Sequence, residues 1–369
     1  MQQDSTDQVS ETAPPATNPL WTVVVPLLAL GLLVAELLSR AGWLKVAALV
    51  ALPGTVFAGV HHAEVISRRI GEPFGTLVLA VVVTVTEVAL IASLMLAPDA
   101  RNSELARDAV LSAIMLTSNG LVGLCLLLGG LFHREQEFQV RGASAALAVL
   151  CALATMTLIL PNHLTTTPGP TLSCSQLTFV GVVSMALYLT FVFVQTIRHR
   201  ELFLSEPVET GERAPAPGFG AVLASAGLLL GALVGVVGLA EVLAPVVESA
   251  VVRAGAPVAV VGIIISMIVL LPESAAALRA ARSNQLQNSL NLAHGSALAS
   301  IGLTIPAIGA VSIAFDVPVV LGVSPKDTVL LALTLLVSVI TLSTGRTTVL
   351  QGMVHLIVLA AYLFMAVVP

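Results

Sequence analysis

Two glutamates stand in segments that are otherwise almost entirely apolar. Glu87 is the only charged residue between Phe74 and Leu96, and Glu273 follows the apolar run SMIVLLP. An ionised carboxylate in the hydrocarbon of a membrane costs several kcal/mol, so such residues face the protein interior or a cavity and mark ion pathways. Neither glutamate has a basic residue within one and a half helical turns along the sequence. Each must therefore hold a proton or face a cation from solution.

The two glutamates together have the chemistry of an exchange site. Ionised carboxylates placed side by side repel each other, and either a proton or a cation relieves the repulsion. Two negative charges also match one Ca²⁺, which takes about six to eight oxygen ligands. A site that is stable with protons or with a metal ion is the basis of cation–proton exchange. The sequence therefore predicts that Glu87 and Glu273 form a metal site and exchange protons.

Polar residues in two later helices can supply further ligands. Ser118 and Asn119 lie in the middle of one apolar run, and Gly295 and Ser296 lie in another. Hydroxyl and amide oxygens suit a hard cation, and glycine permits close approach of the backbone. His294 is either a proton relay, because imidazole titrates near neutrality, or a buried hydrogen-bonding residue.

A hydroxyl in a membrane helix often bonds the carbonyl four residues earlier in its own helix. Ser300, one turn beyond Ser296, is expected to make such a structural bond.

The elements that must position these residues are membrane spans. Hydrophobic residues make up 57% of the chain and charged residues only 10%, against roughly 25% charged in soluble domains. The chain divides into eleven apolar runs of the length that crosses a bilayer as a helix. The predicted helices cover residues 20–38, 43–67, 74–97, 105–131, 142–160, 175–197, 218–251, 257–281, 290–313, 326–343 and 347–368. The prediction is an all-α integral membrane protein that lies in the lipid bilayer, and no basic stripe indicates a nucleic-acid partner.

An internal repeat divides the chain. Residues 64–73 read EVISRRIGEP and residues 248–257 read ESAVVRAGAP, and each motif precedes one of the intramembrane glutamates. Five helices in each unit give the two units opposite directions through the membrane, as in secondary transporters with a site near the midplane. The expected organisation is a disordered tail (1–18), an N-terminal helix (19–40), a first repeat (41–197), an acidic loop (198–217) and a second repeat (218–369). Glu64 and Glu248, which open the two motifs, are expected to act as gates.

The loops predict an orientation. Ten arginines fall on the side of the N-terminus and six basic residues on the other. The positive-inside rule then places the N-terminus in the cytoplasm and, after eleven crossings, the C-terminus outside. A channel or an intramembrane enzyme that uses the buried carboxylates remains an alternative. An enzyme needs a nucleophile–base pair or a metal cluster, and neither is visible in the sequence.

The strongest motifs resemble a known family. The segments GEPFGTLVLAVVVTVTEVALI, SNGLVGLCLLLGGL and LPESAAALRAARSNQLQNSLNLAHGSALASIGLTIPAIG are similar to the two α-repeats of the calcium/cation antiporter superfamily, and within it to bacterial antiporters of the ChaA type. The resemblance covers about residues 20–368. It implies eleven helices, inverted five-helix halves, and an inner-membrane antiporter that exchanges Ca²⁺, Na⁺ or K⁺ for protons without a cofactor.

The resemblance also assigns site residues. It implies that Glu87 and Glu273 are the central acidic residues, with Ser118–Asn119 and Gly295–Ser296 as oxygen ligands from the next helix of each repeat. The chain has V-T-V-T-E where many superfamily members have G-N-x-x-E, and its second acid follows Leu-Pro. Both features are shared with the ChaA-like branch. No oligomeric state follows from the sequence.

Overall fold

A computed structural model describes residues 19–39, 41–70, 84–89, 91–92, 95, 104–203, 217–257 and 259–368. The predicted tail (1–18), most of the predicted helix 74–97 and residues 204–216 of the acidic loop lie outside the described residues. The helices are α1 (Leu20–Ser39), α2 (Gly42–Ile70), α3 (Leu105–His133), α4 (Val140–His163), α5 (Cys174–Arg198), α6 (Phe219–Arg253), α7 (Ala259–Val269), α8 (Leu271–Arg282), α9 (Leu286–Phe315), α10 (Pro325–Leu342) and α11 (Val349–Val367). Residues 84–89 and 91–92 are also helical.

The all-α membrane architecture predicted from the sequence is confirmed. Among the described residues, nine helices are long and apolar enough to cross a bilayer, and the bent pair α7–α8 makes a tenth. The helical residues between 84 and 92 belong to the predicted helix 74–97, so the count is consistent with eleven spans. One span differs from the prediction, because 257–281 is broken at Leu270. The predicted helix 218–251 is present as the single helix Phe219–Arg253, with Pro245 inside it.

Side-chain caps explain where several helices begin. The Ser173 hydroxyl accepts a hydrogen bond from the backbone N–H of Gln176, whose side chain accepts one in return from the Ser173 N–H. Thr348 and Gln351 form the same reciprocal box before α11. Such boxes satisfy backbone donors that have no partner inside a helix, and they fix its first residue.

Close contacts between small residues join α1, α2 and α6. An added Cβ at Gly235 would lie 2.9 Å from Ala29 Cβ and 3.2 Å from Thr55 Cγ2, and one at Gly59 would lie 3.4 Å from Ala232 Cβ. Small residues let membrane helices approach closely and gain dispersion contacts. These three helices enclose a hydrophobic cluster separate from the larger one, which contains most of the other helices.

The larger cluster brings distant helices together. Helix α3 lies against α11, and α5 lies against α9. In addition, α3 contacts α7, where the Ser266 hydroxyl donates to the Ala109 carbonyl at 2.9 Å. A two-stranded antiparallel ribbon, β1 (Gln136–Glu137) with β2 (Arg346–Thr347), ties the turn after α3 to the turn after α10. Helices α3 and α9 thus lie inside the bundle, in contact with most of their neighbours.

Candidate functional site

Glu87 lies in the helical segment 84–89 and is 7% exposed. The Ser300 hydroxyl, on α9, donates a hydrogen bond to Glu87 Oε1. The expectation that Ser300 bonds its own helix is therefore wrong, because its hydroxyl bridges to a residue 213 positions away. This bond joins the predicted first repeat to the second at the carboxylate itself.

Glu273 lies at a break in the helical path. Helices α7 and α8 meet at an angle of 56°, Leu270 is the N-cap of α8, and Pro272 stands at its start. Proline is tolerated there because the first turn of a helix needs no N–H donor. Glu273 thus occupies the first turn, where the positive end of the helix dipole and free backbone N–H groups favour a negative charge. Discontinuous membrane helices of this kind place their ends at ion sites in secondary transporters.

The two glutamates lie close enough to interact. Their carboxyl groups lie within the range of a Coulombic interaction. Within the described part of the chain, Glu273 Oε2 is buried and has no hydrogen-bond partner. A buried oxygen without a partner is costly unless water, a proton or an ion completes its shell. Glu273 Oε2 is therefore free to bind a cation.

Ser118 and Asn119 lie in an irregular turn of α3. Residues Leu116–Leu121 are π-helical, a form that is rare and often found at functional sites. This π turn contacts α8, which carries Glu273, and also α9, α10 and α11. Ser118 is 2% exposed, and its Oγ, like Glu273 Oε2, is buried without a partner among the described residues.

The Asn119 amide is engaged on both sides. Its Nδ2 donates to Thr334 Oγ1 at 2.8 Å, and its Oδ1 lies 3.2 Å from His355 Nδ1. Because Thr334 donates its own proton to the Leu330 carbonyl, it can only accept from Asn119. That fixes the orientation of the amide, so Oδ1 accepts from the imidazole. The role of Asn119 as a cation ligand stays a prediction.

The second predicted ligand group lies on α9. His294 is 4% exposed, and its Nδ1 is 2.8 Å from the Leu290 carbonyl, which can only accept. An added Cβ at Gly295 would meet no described residue within 4 Å, and Ser296 is half-buried. The roles of Gly295, Ser296 and His294 in ligation and proton relay stay predictions.

Glu64 and Glu248 are half-buried on α2 and α6, two helices that pack against each other. Within the described ranges, no hydrogen bond joins either of them to Glu87 or Glu273. Their role as gates stays a prediction. In the described ranges no group of three or more His, Cys, Asp or Glu side chains is placed to hold a metal ion.

Sequence reasoning missed two residues of this region, Ser300 as a partner of Glu87 and His355 as a partner of Asn119. His355 is fully buried, and it is a single polar residue in the apolar run GMVHLIVL. That isolation was the available signal, because a lone imidazole in a membrane helix needs a partner on another helix.

Comparison with known proteins places this arrangement in a family. The family model for sodium/calcium exchanger protein matches residues 40–197 and 224–368. The chain is 47% identical to the protein y4hA of Sinorhizobium fredii over 360 residues, covering 95% of this chain and 97% of that one. It is 35% identical over 321 residues to the sodium-potassium/proton antiporter ChaA of Escherichia coli, covering 86% of each.

Solved structures share the fold. The structure of native YfkE has a TM-score of 0.71 at 18% identity and covers 94% of this chain and 100% of its own. The H⁺/Ca²⁺ exchanger CAX has a TM-score of 0.69 at 14% identity and covers 93% and 88%. The sequence matches and the shared fold agree with each other, and the chain belongs to the sodium/calcium exchanger protein family.

Proposed function

We propose that the protein is a cation/proton antiporter that exports Ca²⁺, with Na⁺ and K⁺ as further cargo, in exchange for protons. Membership of the sodium/calcium exchanger protein family supports a transporter rather than an enzyme. One observation carries the assignment: the buried Glu87 and the half-buried Glu273 lie near each other, the latter at a helix break, and neither has a basic partner among the described residues. Such groups are costly in a membrane unless each holds a proton or faces a cation.

The proposed cation site takes its charge from Glu87 and Glu273. Ser118 Oγ and Glu273 Oε2 are both buried without a hydrogen-bond partner among the described residues, and they belong to elements that touch each other. Gly295 and Ser296 add a backbone carbonyl and a hydroxyl from α9, where no described residue would lie within 4 Å of a Cβ added at Gly295. Ser300 stabilises the charged form of Glu87 until a proton replaces the cation.

Alternating access fits the way the helices contact one another. The predicted repeats, 41–197 and 218–369, pair α2 with α6, α3 with α9 and α5 with α11. If each helix is swapped with its counterpart in the other repeat, the contact between α3 and α11 becomes the contact between α9 and α5, and both are present. The contact between α2 and α6 is unchanged by the swap. Such pseudo-symmetry supports a mechanism in which the two halves move against each other around a central site.

We also propose that the protein lies in the inner membrane with its N-terminus in the cytoplasm and its C-terminus outside. The bias of basic residues among the loops supports this orientation. Glu64 and Glu248, on the two contacting helices α2 and α6, are then the proposed gates near the membrane surfaces.

Everted membrane vesicles test the function. A proton gradient is established by respiration, and its dissipation is followed with a pH-sensitive dye after addition of CaCl₂, NaCl or KCl. An antiporter releases protons only when an exchanged cation is added, and the half-saturating concentrations rank the cations. A channel would pass cations with no coupled proton movement, and this result would refute the proposal.

A further inference from the structure

We propose that His355 is a positioning residue that holds the π turn Leu116–Leu121 in the shape that presents Ser118 to the cation. This inference rests on the proposed function, and it assigns a role to a buried residue outside the predicted ligand set. His355 belongs to α11, in the second half of the chain, whereas the π turn belongs to the first.

The first step of the argument concerns contacts. The His355 ring faces Asn119 Oδ1 at 3.2 Å through Nδ1. Its Nε2 lies 3.2 Å from Thr341 Oγ1 on α10. Because Asn119 Oδ1 only accepts, Nδ1 carries the proton and Nε2 accepts from the Thr341 hydroxyl. Both ring nitrogens are then satisfied, as a fully buried imidazole requires.

The second step concerns the backbone. A π turn carries one residue more per turn than an α-helix, and it disturbs the hydrogen bonds between backbone groups in the preceding and following turns. Such a turn persists where neighbouring groups stabilise it. His355 contacts the middle of the turn through the side chain of Asn119, the residue that follows Ser118.

The third step concerns access. An added Cβ at Gly123 would lie 3.0 Å from His355 Cβ, and one at Gly352 would lie 2.8 Å from the Gly123 carbonyl oxygen. Two glycines therefore bring α3 and α11 together at the position of the imidazole. This close approach lets a short side chain on α11 reach the π turn, which on its other sides contacts α8 and α9.

The test uses two substitutions that keep different halves of the imidazole. His355→Asn places an amide N–H where Nδ1 stood and keeps the bond to Asn119, whereas His355→Gln reaches the Nε2 position and favours Thr341. His355→Leu removes both. His163→Leu, at an exposed position outside this cluster, is the matched control. Each variant is purified, and its melting temperature is measured with and without CaCl₂ before exchange is assayed in reconstituted vesicles.

We expect His355→Leu to raise the half-saturating Ca²⁺ concentration at least about tenfold, and a tenfold change corresponds to about 1.4 kcal/mol of lost binding free energy. The maximal exchange rate should fall by a smaller factor. His355→Asn should restore most of the affinity, and His355→Gln should not. A purely structural role would lower the melting temperature of all three variants without separating Asn from Gln. Equal rescue by Asn and Gln, or unchanged Ca²⁺ affinity in a folded Leu variant, would overturn the inference.

Two further measurements keep the result decisive. If His355→Leu fails to insert, Thr334→Val is used instead, because it removes the other hydrogen-bond partner of the Asn119 amide. This variant should also weaken Ca²⁺ binding. Unchanged Ca²⁺ affinity in Thr334→Val would refute the positioning role. Thermal stabilisation by Ca²⁺ reports binding to the folded state without transport. Wild-type protein that binds Ca²⁺ but exchanges no protons would therefore refute the proposed function alone, and the effect of His355 on binding would still be decided.

Discussion

Replacing Glu87 by glutamine removes a charge while it keeps the size of the side chain and most of its hydrogen bonding. Glu87 is 7% exposed and receives the Ser300 hydroxyl, so bulk water cannot compensate for the lost charge. Two unit charges 4 Å apart interact by about 4 kcal/mol at an effective dielectric constant of about 20. That energy corresponds to about a thousandfold weaker cation binding. Cation-dependent proton movement should fall below detection at millimolar cation.

The assay is the everted-vesicle measurement, with equal amounts of each variant confirmed by immunoblot and by size-exclusion chromatography in detergent. Glu87→Gln and Glu273→Gln should both insert normally, because an intramembrane charge costs free energy and its removal does not destabilise the fold. The double variant should be no worse than either single one, since half of a shared site is already inactive. Glu241→Gln, at an exposed position on α6, should retain wild-type exchange. A folded Glu87→Gln variant with near-normal coupled exchange would refute the paired-carboxylate mechanism.

Three other perturbations follow from the same geometry. Ser300→Ala removes the donor to Glu87. We expect Ca²⁺ binding to weaken by about ten- to a hundredfold, since hydrogen bonds to charged groups contribute about 1.5–3 kcal/mol. A Ca²⁺ titration of the exchange rate in vesicles checks this, and unchanged affinity would show that the bond has no role. Glu64→Gln and Glu248→Gln should slow exchange several-fold without abolishing it, whereas complete loss in the same assay would place them in the central site. Gly235→Val should lower the melting temperature in detergent, because its Cβ would lie 2.9 Å from the neighbouring helix, and an unchanged melting temperature would show that α1 and α6 separate easily.

The sequence predicted the helices well because apolar runs of membrane length are separated by charged or glycine-rich turns. It did not predict the break at Leu270, although Pro272 was a signal for a helix start. A proline inside a long apolar run is compatible with a kinked helix as well as with a new one. The choice depends on which neighbours satisfy the freed backbone groups, and these neighbours are far away in sequence.

The central pair was predicted from local composition, because a lone acid in hydrocarbon is conspicuous. Its partners were not. The Ser300 hydroxyl can donate to a carbonyl of its own helix or to a group on another helix, and the local sequence does not distinguish these two hydrogen bonds. The contact of His355 with Asn119 spans 236 positions. Only the packing of α3 against α11 through two glycines brings those side chains together.

The length of α6 has a consequence for the surrounding lipid. Its 35 residues extend about 52 Å at about 1.5 Å per residue, whereas the hydrocarbon core is about 30 Å thick. Even a tilt of about 40° leaves part of the helix outside the hydrocarbon. Headgroups must therefore meet one end of α6, and tilting of the helix or local thickening of the bilayer accommodates its length. Bilayer thickness and lipid headgroup charge can therefore influence the position of α6, the helix that carries Glu248.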